Sequence, residues 1–169
     1  MLAAVRRFCE LRWVTRVAPK VVPPVDLMSH RLTGGRVVPT RLFMRTVVVT
    51  STGHRTGLPR RHPLVAHREP DGSFLVIGSN FGQQHDPVWV TNLTRTPEAT
   101  VEWRARTIPV RARRLTAEEK AAARPDILRV LPMYDTYARR AAPRDIPVFR
   151  LTPTPPDGPS GTWRKGPGR

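Results

Sequence analysis

Between Thr52 and Arg61 the chain reads TGHRTGLPRR, two glycines four apart followed by a proline and paired arginines. Gly53 and Gly57 permit positive φ, so successive backbone N–H groups can face one concavity. Arg55, Arg60 and Arg61 add guanidinium forks suited to phosphate or carboxylate. A plain hairpin turn with its arginines in water accounts for the same residues. A second cluster runs from Gly78-Ser79-Asn80 through Asp86-Pro87 to Trp89 and Asn92. There a strand ends in small and polar residues and a helix follows, with Asp86 as N-cap and Pro87 as first helical residue. That helix start is partially positive and can bear on an anion. Trp89 and Leu93 share one helical face, which reads as core, while Asn92 is available to cap or to bind a ligand. The third cluster holds Tyr134 and Tyr137, the only tyrosines. Their i, i+3 spacing puts them on one face, either packed on a core or walling a pocket with hydroxyls toward a substrate oxygen.

Other chemistries are missing from the sequence. It has no GxGxxG, Walker A loop or GxSxG elbow. His30, His54, His62, His67 and His85 show no metal spacing, so no metal site is expected, and no carboxylate pair stands out. A self-sufficient acid–base or nucleophilic enzyme is thereby disfavoured, and a bound cofactor is expected to carry the hard step. The 169 residues suit one domain with a real core. A formal charge of +16 comes almost wholly from arginine. Cys9 alone excludes an internal disulfide. No apolar run is long enough to span a bilayer, and Arg6, Arg7, Glu10, Arg12 and Arg16 break any signal-peptide core. A cytoplasmic protein is expected.

The elements that must position these clusters follow from pattern. Residues 1–45 form a basic helical segment, with Val5, Cys9, Trp13 and Val17 on one stripe and arginines opposite. Thr46–Thr52 is β-branched and reads as a buried strand. Arg60–Arg68 and Phe74–Ser79 are strands joined through an Asp71-Gly72 hairpin. Thr100–Trp103 and Ile108–Leu115 pair around Arg104–Arg106. Thr116-Ala-Glu-Glu119 is a capping box, Pro125 restarts a helix, Tyr134–Arg140 is helical, and Pro147–Leu151 is a last strand. Residues 152–169, rich in proline and glycine, read as a disordered tail. The class is α+β: a small antiparallel barrel over 46–151 with appended helices, not a Rossmann sheet.

Four blocks in this order, TSTGHRTGLPRRHPL (50–64), GSNFGQQHDPVWVTNLTRTPEATV (78–101), LTAEEKAAARPDI (115–127) and PMYDTY…RDIPVF (132–149), resemble the deazaflavin-dependent nitroreductase family of actinobacteria. Members bind coenzyme F420, and several are quinone reductases. The resemblance implies a split β-barrel of the flavin-binding type, and hydride transfer from the reduced deazaflavin to a quinone or nitro compound. By position, Gly53, His54, Arg55, Thr56, Gly57, Pro59, Arg60 and Arg61 would hold the phosphate and anionic glutamyl tail. Pro63, Leu64, Gly78, Ser79 and Asn80 would line the ring, and Trp89 and Asn92 would close the helix side. Tyr134, with Tyr137, would wall the acceptor pocket and donate to the developing oxyanion.

FMN is the alternative cofactor within the same barrel type. A basic nucleic-acid binder is a different class, suggested by Arg104, Arg106, Arg111, Arg113 and Arg114. Only Trp103 could stack there, on the face opposite Arg104 and Arg106, so no nucleic-acid partner is expected. The arginine stripe of residues 1–40 suggests peripheral attachment to an anionic membrane at its inner face, or else packing over the barrel.

Overall fold

Six antiparallel strands alternate in direction and close on themselves in the order β1-β2-β3-β6-β5-β4. The computed structural model describes residues 46–155; the expected N-terminal helical segment, its membrane contact and most of the proline-rich tail fall outside them. The strands are β1 (Thr46–Thr52), β2 (Pro59–Arg68), β3 (Phe74–Ile77), β4 (Glu98–Trp103), β5 (Arg106–Arg114) and β6 (Val148–Pro153). Helix α1 (Val88–Arg95) lies between β3 and β4, preceded by a 3-10 turn at Asn80–Gly82. Helices α2 (Ala117–Ala122), α3 (Arg124–Val130) and α4 (Tyr134–Ala141) lie between β5 and β6.

The expected barrel with C-terminal helices is present, with three local differences. Strand β3 stops at Ile77 because Gly78 and Ser79 turn away into the 3-10 segment. Helix α1 is capped by Pro87 without a side-chain bond, since Asp86, the expected cap, is taken by Arg144 at 2.6 Å. Thr152 and Pro153, expected in the tail, pair with Arg111 and Val110 and complete β6. The capping box forms as expected, with Thr116 and Glu119 satisfying each other's N–H groups.

The period-2 alternation of the strands sorts the chain into two cores. Val47, Val49, Phe74, Val76, Val101, Phe149 and Leu151 point into the barrel, where α1 adds Trp89, Val90 and Leu93. Trp89 meets Phe149 edge-on, with centroids 5.8 Å apart. The outward residues Leu75 and Val148 pack beneath Ile127, Val130, Leu131, Tyr134 and Tyr137 of the helical layer.

Strand direction also sorts the connections by end. Thr52, Pro59, Ile77 and Val148 pair at one end of the barrel. The Gly53–Leu58 loop, the Gly78–Pro87 segment, α1 and the turn before β6 therefore all gather there, at what we call the mouth. The Asp71-Gly72 and Arg104-Ala105 hairpins lie at the opposite end. Among the described residues no helix is long and apolar enough to cross a membrane, and no group of three or more potential metal ligands stands together.

Candidate active site at the mouth of the barrel

The loop between β1 and β2 is a tightly knotted turn. Gly53 N–H donates to Leu58 C=O at 2.9 Å, while Gly53 C=O accepts from Thr56 and Gly57 N–H at 3.1 and 2.8 Å. Gly57 sits at φ +67, the left-handed conformation glycine tolerates. Leu58 N–H reaches Thr56 Oγ1 at 3.3 Å, and His54 N–H donates to Asn92 Oδ1 at 3.0 Å. The expected concavity of backbone N–H groups is thus not formed, because these amides are spent inside the turn and on Asn92. Anion binding at this loop falls to its guanidinium groups instead.

Those groups differ in availability. Arg55 and Arg60 are exposed, and among the described residues neither has a carboxylate partner. Arg60 Nη2 lies 3.4 Å from Thr56 Oγ1, a weak contact that leans the guanidinium over the loop. Arg61 points to the other face of β2 and holds both oxygens of Glu102 at 2.8 and 2.9 Å. The sequence set the three arginines side by side, and the strand pleat separates them.

Asn92 fixes the loop to the helix. It is wholly buried. Its Oδ1 accepts from His54 N–H and lies 2.9 Å from His54 Nδ1, while its Nδ2 donates to Ser51 Oγ at 3.2 Å. Asn92, expected to cap or to bind a ligand, has both ends of its carboxamide engaged in anchoring the loop. Along the inward face of β2, Arg60, His62 and Leu64 stand opposite Ser51, Val49 and Val47, a gradient from charged at the mouth to apolar inside. Burial, reinforced by the charge of Arg60, lowers the His62 pKa from 6.5 to about 4. Its imidazole is therefore neutral at pH 7. Leu64 packs on the inner core, and Trp89 is part of it; both brace the mouth from within. Pro63 lies on the outward face between Arg61 and Val65.

The segment after β3 has a backbone few sequences adopt. Asn80 and Phe81 both have positive φ, 45 and 55, which for a bulky phenylalanine is an outlier. Asn80 Nδ2 donates to His85 C=O at 3.0 Å. At Gly78 a Cβ would fall 2.8 Å from Val90 Cγ2 and 2.9 Å from Pro147 Cγ, so glycine is required by close approach. Arg144 holds the whole stretch. Its side chain is 11% exposed, and its guanidinium donates to Gly78, Ser79 and Gln83 carbonyls at 3.2, 2.9 and 3.0 Å, as well as to Asp86. Sequence reasoning missed Arg144 and His62; a lone arginine before a strand and a histidine between an arginine and a proline carry no distinguishing spacing.

Tyr134 and Tyr137 do share a face, as their spacing implies, but both are buried in the outer helical layer. The Tyr137 ring lies 6.4 Å from that of Phe81, so it supports the segment after β3. Burial, with the Asp145 carboxylate adding to it, raises the Tyr134 pKa above its usual value. Its phenol stays protonated at neutral pH as a donor.

A mouth with two open guanidiniums on a fixed loop and strand ends beside it suits an anionic, ring-bearing cofactor. Comparison with known proteins agrees. A solved F420-H2 dependent reductase, FDR-A, is 29% identical with a TM-score of 0.57, over 63% of this chain and 93% of that one. A protein solved as a domain-swapped dimer is 26% identical with a TM-score of 0.59, over 82% of this chain and 96% of its own. The family model described as F420H(2)-dependent quinone reductase matches residues 26–153. The strand–loop–strand mouth, the arginines and this match lead to one conclusion: the chain belongs to the F420H(2)-dependent quinone reductase family, oxidoreductases that use coenzyme F420.

Proposed function

We propose that the mouth of the barrel and the outer wall of β2 beside it hold the deazaflavin, its phosphate and glutamyl tail running along Arg55 and Arg60 and its ring lying against Pro63 and the Gly78–Asn80 edge. The donor set fits such a group: two exposed guanidiniums stand on a loop with no acidic side chain between Gly53 and Arg61. When bound, the reduced deazaflavin supplies a hydride to a quinone or a similar electron-poor acceptor. This chain's residues do the rest. Asn92 and the internal bonds of the loop hold Arg55 and Arg60 so that little ordering is left at binding. Thr56 orients Arg60. The apolar wall of Pro63, Val65 and Phe81 excludes water from the reacting face, and positioning supplies most of the rate. Tyr134, kept protonated by burial, donates to the acceptor oxygen as charge develops, with Tyr137 bracing Phe81 beside it. The basic residues 1–40 would bring the enzyme to an anionic membrane surface where lipid quinones reside.

The observation that carries this reading is the placement of Arg55 and Arg60, open and anchored, at the same barrel end as the strand edge. Titrating the protein with F420, and separately with FMN, tests it. Expected are saturable binding of F420 at micromolar or tighter affinity, weaker binding of FMN, and a loss of about tenfold in affinity for Arg60→Ala. An unsaturable F420 titration would remove the site. Tyr134→Phe should lower turnover several-fold and leave F420 affinity alone. Co-sedimentation with anionic vesicles, with and without residues 1–40, checks the membrane contact; equal sedimentation of the two proteins speaks against it.

A further inference from the structure

A half-buried arginine that satisfies backbone carbonyls is costly unless the backbone it holds must keep one shape. Arg144 donates to three carbonyls of the segment following β3 and to one carboxylate on the same segment. Between those contacts lie Asn80 and Phe81, two consecutive non-glycine residues in the left-handed region. Such conformations are strained and persist only where surroundings over-determine them. Two further contacts pin the same stretch. A Cβ on Gly82 would fall 3.1–3.2 Å from Arg140 Cβ and from Tyr137 Cα and O, so the turn sits directly on α4. Gly78 N–H bonds the Pro147 carbonyl at 2.8 Å, three residues beyond Arg144.

We propose that Arg144 is a positioning residue for the reductase reaction, clamping the strained Gly78–Asp86 backbone so that its Gly78–Asn80 edge faces the Arg55/Arg60 loop across the mouth. The inference rests on the ring-lining role proposed above for that edge. The planar fork matters as much as the charge. Its several N–H groups diverge toward Gly78, Ser79, Gln83 and Asp86 at once, whereas a lysine ammonium could follow Asp86 but not span the carbonyls. Asp86 neutralises the guanidinium, which is why its carboxylate is withdrawn from capping α1.

The test uses the full chain, F420 titration, steady-state kinetics with a soluble quinone, and backbone hydrogen exchange. Arg144→Lys and Arg144→Gln are compared with Arg150→Gln, which breaks the Arg150–Glu69 pair on the barrel's outer wall, toward the end away from the mouth. Expected are roughly tenfold weaker F420 binding in both Arg144 variants and faster exchange of the Gly82 and Gln83 amides, which bond Ser79 and Asn80 carbonyls. KM for F420 should rise more than kcat falls. Arg150→Gln should lose stability and keep wild-type affinity. Folded Arg144 variants with wild-type affinity would overturn the inference while leaving the site intact. Wild-type protein that fails to bind F420 would overturn the site and this inference with it. Should neither Arg144 variant fold, Asp86→Asn decides: weaker F420 binding, by about threefold, supports the clamp, and unchanged affinity sinks it.

Discussion

Asn92 spends both ends of its carboxamide on the site, one on the His54 amide and one on the Ser51 hydroxyl. Asn92→Ala leaves a buried donor and acceptor unpaired, which costs about 1–3 kcal/mol. We expect a lower denaturation midpoint together with weaker F420 binding, because the arginine loop loses its anchor; unchanged affinity would show that the loop holds itself. His62 makes a separate prediction. Its folded pKa, about 4, lies below the unfolded value of 6.5. Both states are neutral above pH 6.5, so nothing is lost there. As pH falls from 6.5 to 4 the unfolded chain takes up a proton that the folded one refuses, and stability drops by about 3 kcal/mol. Urea melts across that window should show the decline in wild type and a flatter profile in His62→Gln. At this scale the sequence was legible by residue type and opaque by direction. The arginines announced an anion, but nothing in TGHRTGLPRR shows that the turn consumes its own amides or that Arg61 faces Glu102.

Elements were read more successfully than contacts, because alternation and turn chemistry are local. The β-branched run at Thr46–Thr52, the Asp71-Gly72 hairpin and the Thr116–Glu119 capping box all form where their residues dictate. Thr116→Ala should cost about 1 kcal/mol through the lost cap, visible as a small shift in thermal midpoint with cofactor binding unaffected. Two of the element boundaries that moved lie at the mouth. Strand β3 ends early and α1 loses its acidic cap for the same non-local reason, Arg144 arriving from the far side of α4. Gly78→Ala should be the harshest small substitution here: its new methyl meets Val90 and Pro147 below 3.0 Å. Overpacking of this kind costs about 1–3 kcal/mol, and it should displace the edge enough to weaken F420 binding as well. A stable, tight-binding Gly78→Ala protein would show that the close approach is relaxed at little cost.

Across the whole molecule, the excess of arginine over carboxylate is not spread evenly in its consequences. Arg111, Arg113 and Arg114 on β5 face Glu98, Glu119 and Asp145, so three of the five arginines that suggested nucleic acid are paired with carboxylates. Arg55 and Arg60 at the mouth have no such carboxylates among the described residues. Affinity for the intact cofactor should therefore fall as ionic strength rises from about 0.01 to 0.5 M, as charge screening shortens. A ring-and-ribityl fragment without phosphate should show little salt dependence, and equal slopes for the two would argue against a guanidinium grip. Closure of the barrel was foreshadowed only in outline, since which strand meets β6 depends on pairings far apart in sequence. One consequence of that closure is practical. Strand β1 starts, and β6 finishes, toward the end remote from the mouth, with β1 spanning roughly 20 Å of wall. A dye attached to a residue at the start of β1 or the finish of β6 would therefore sit at the underside of the cup, away from its rim.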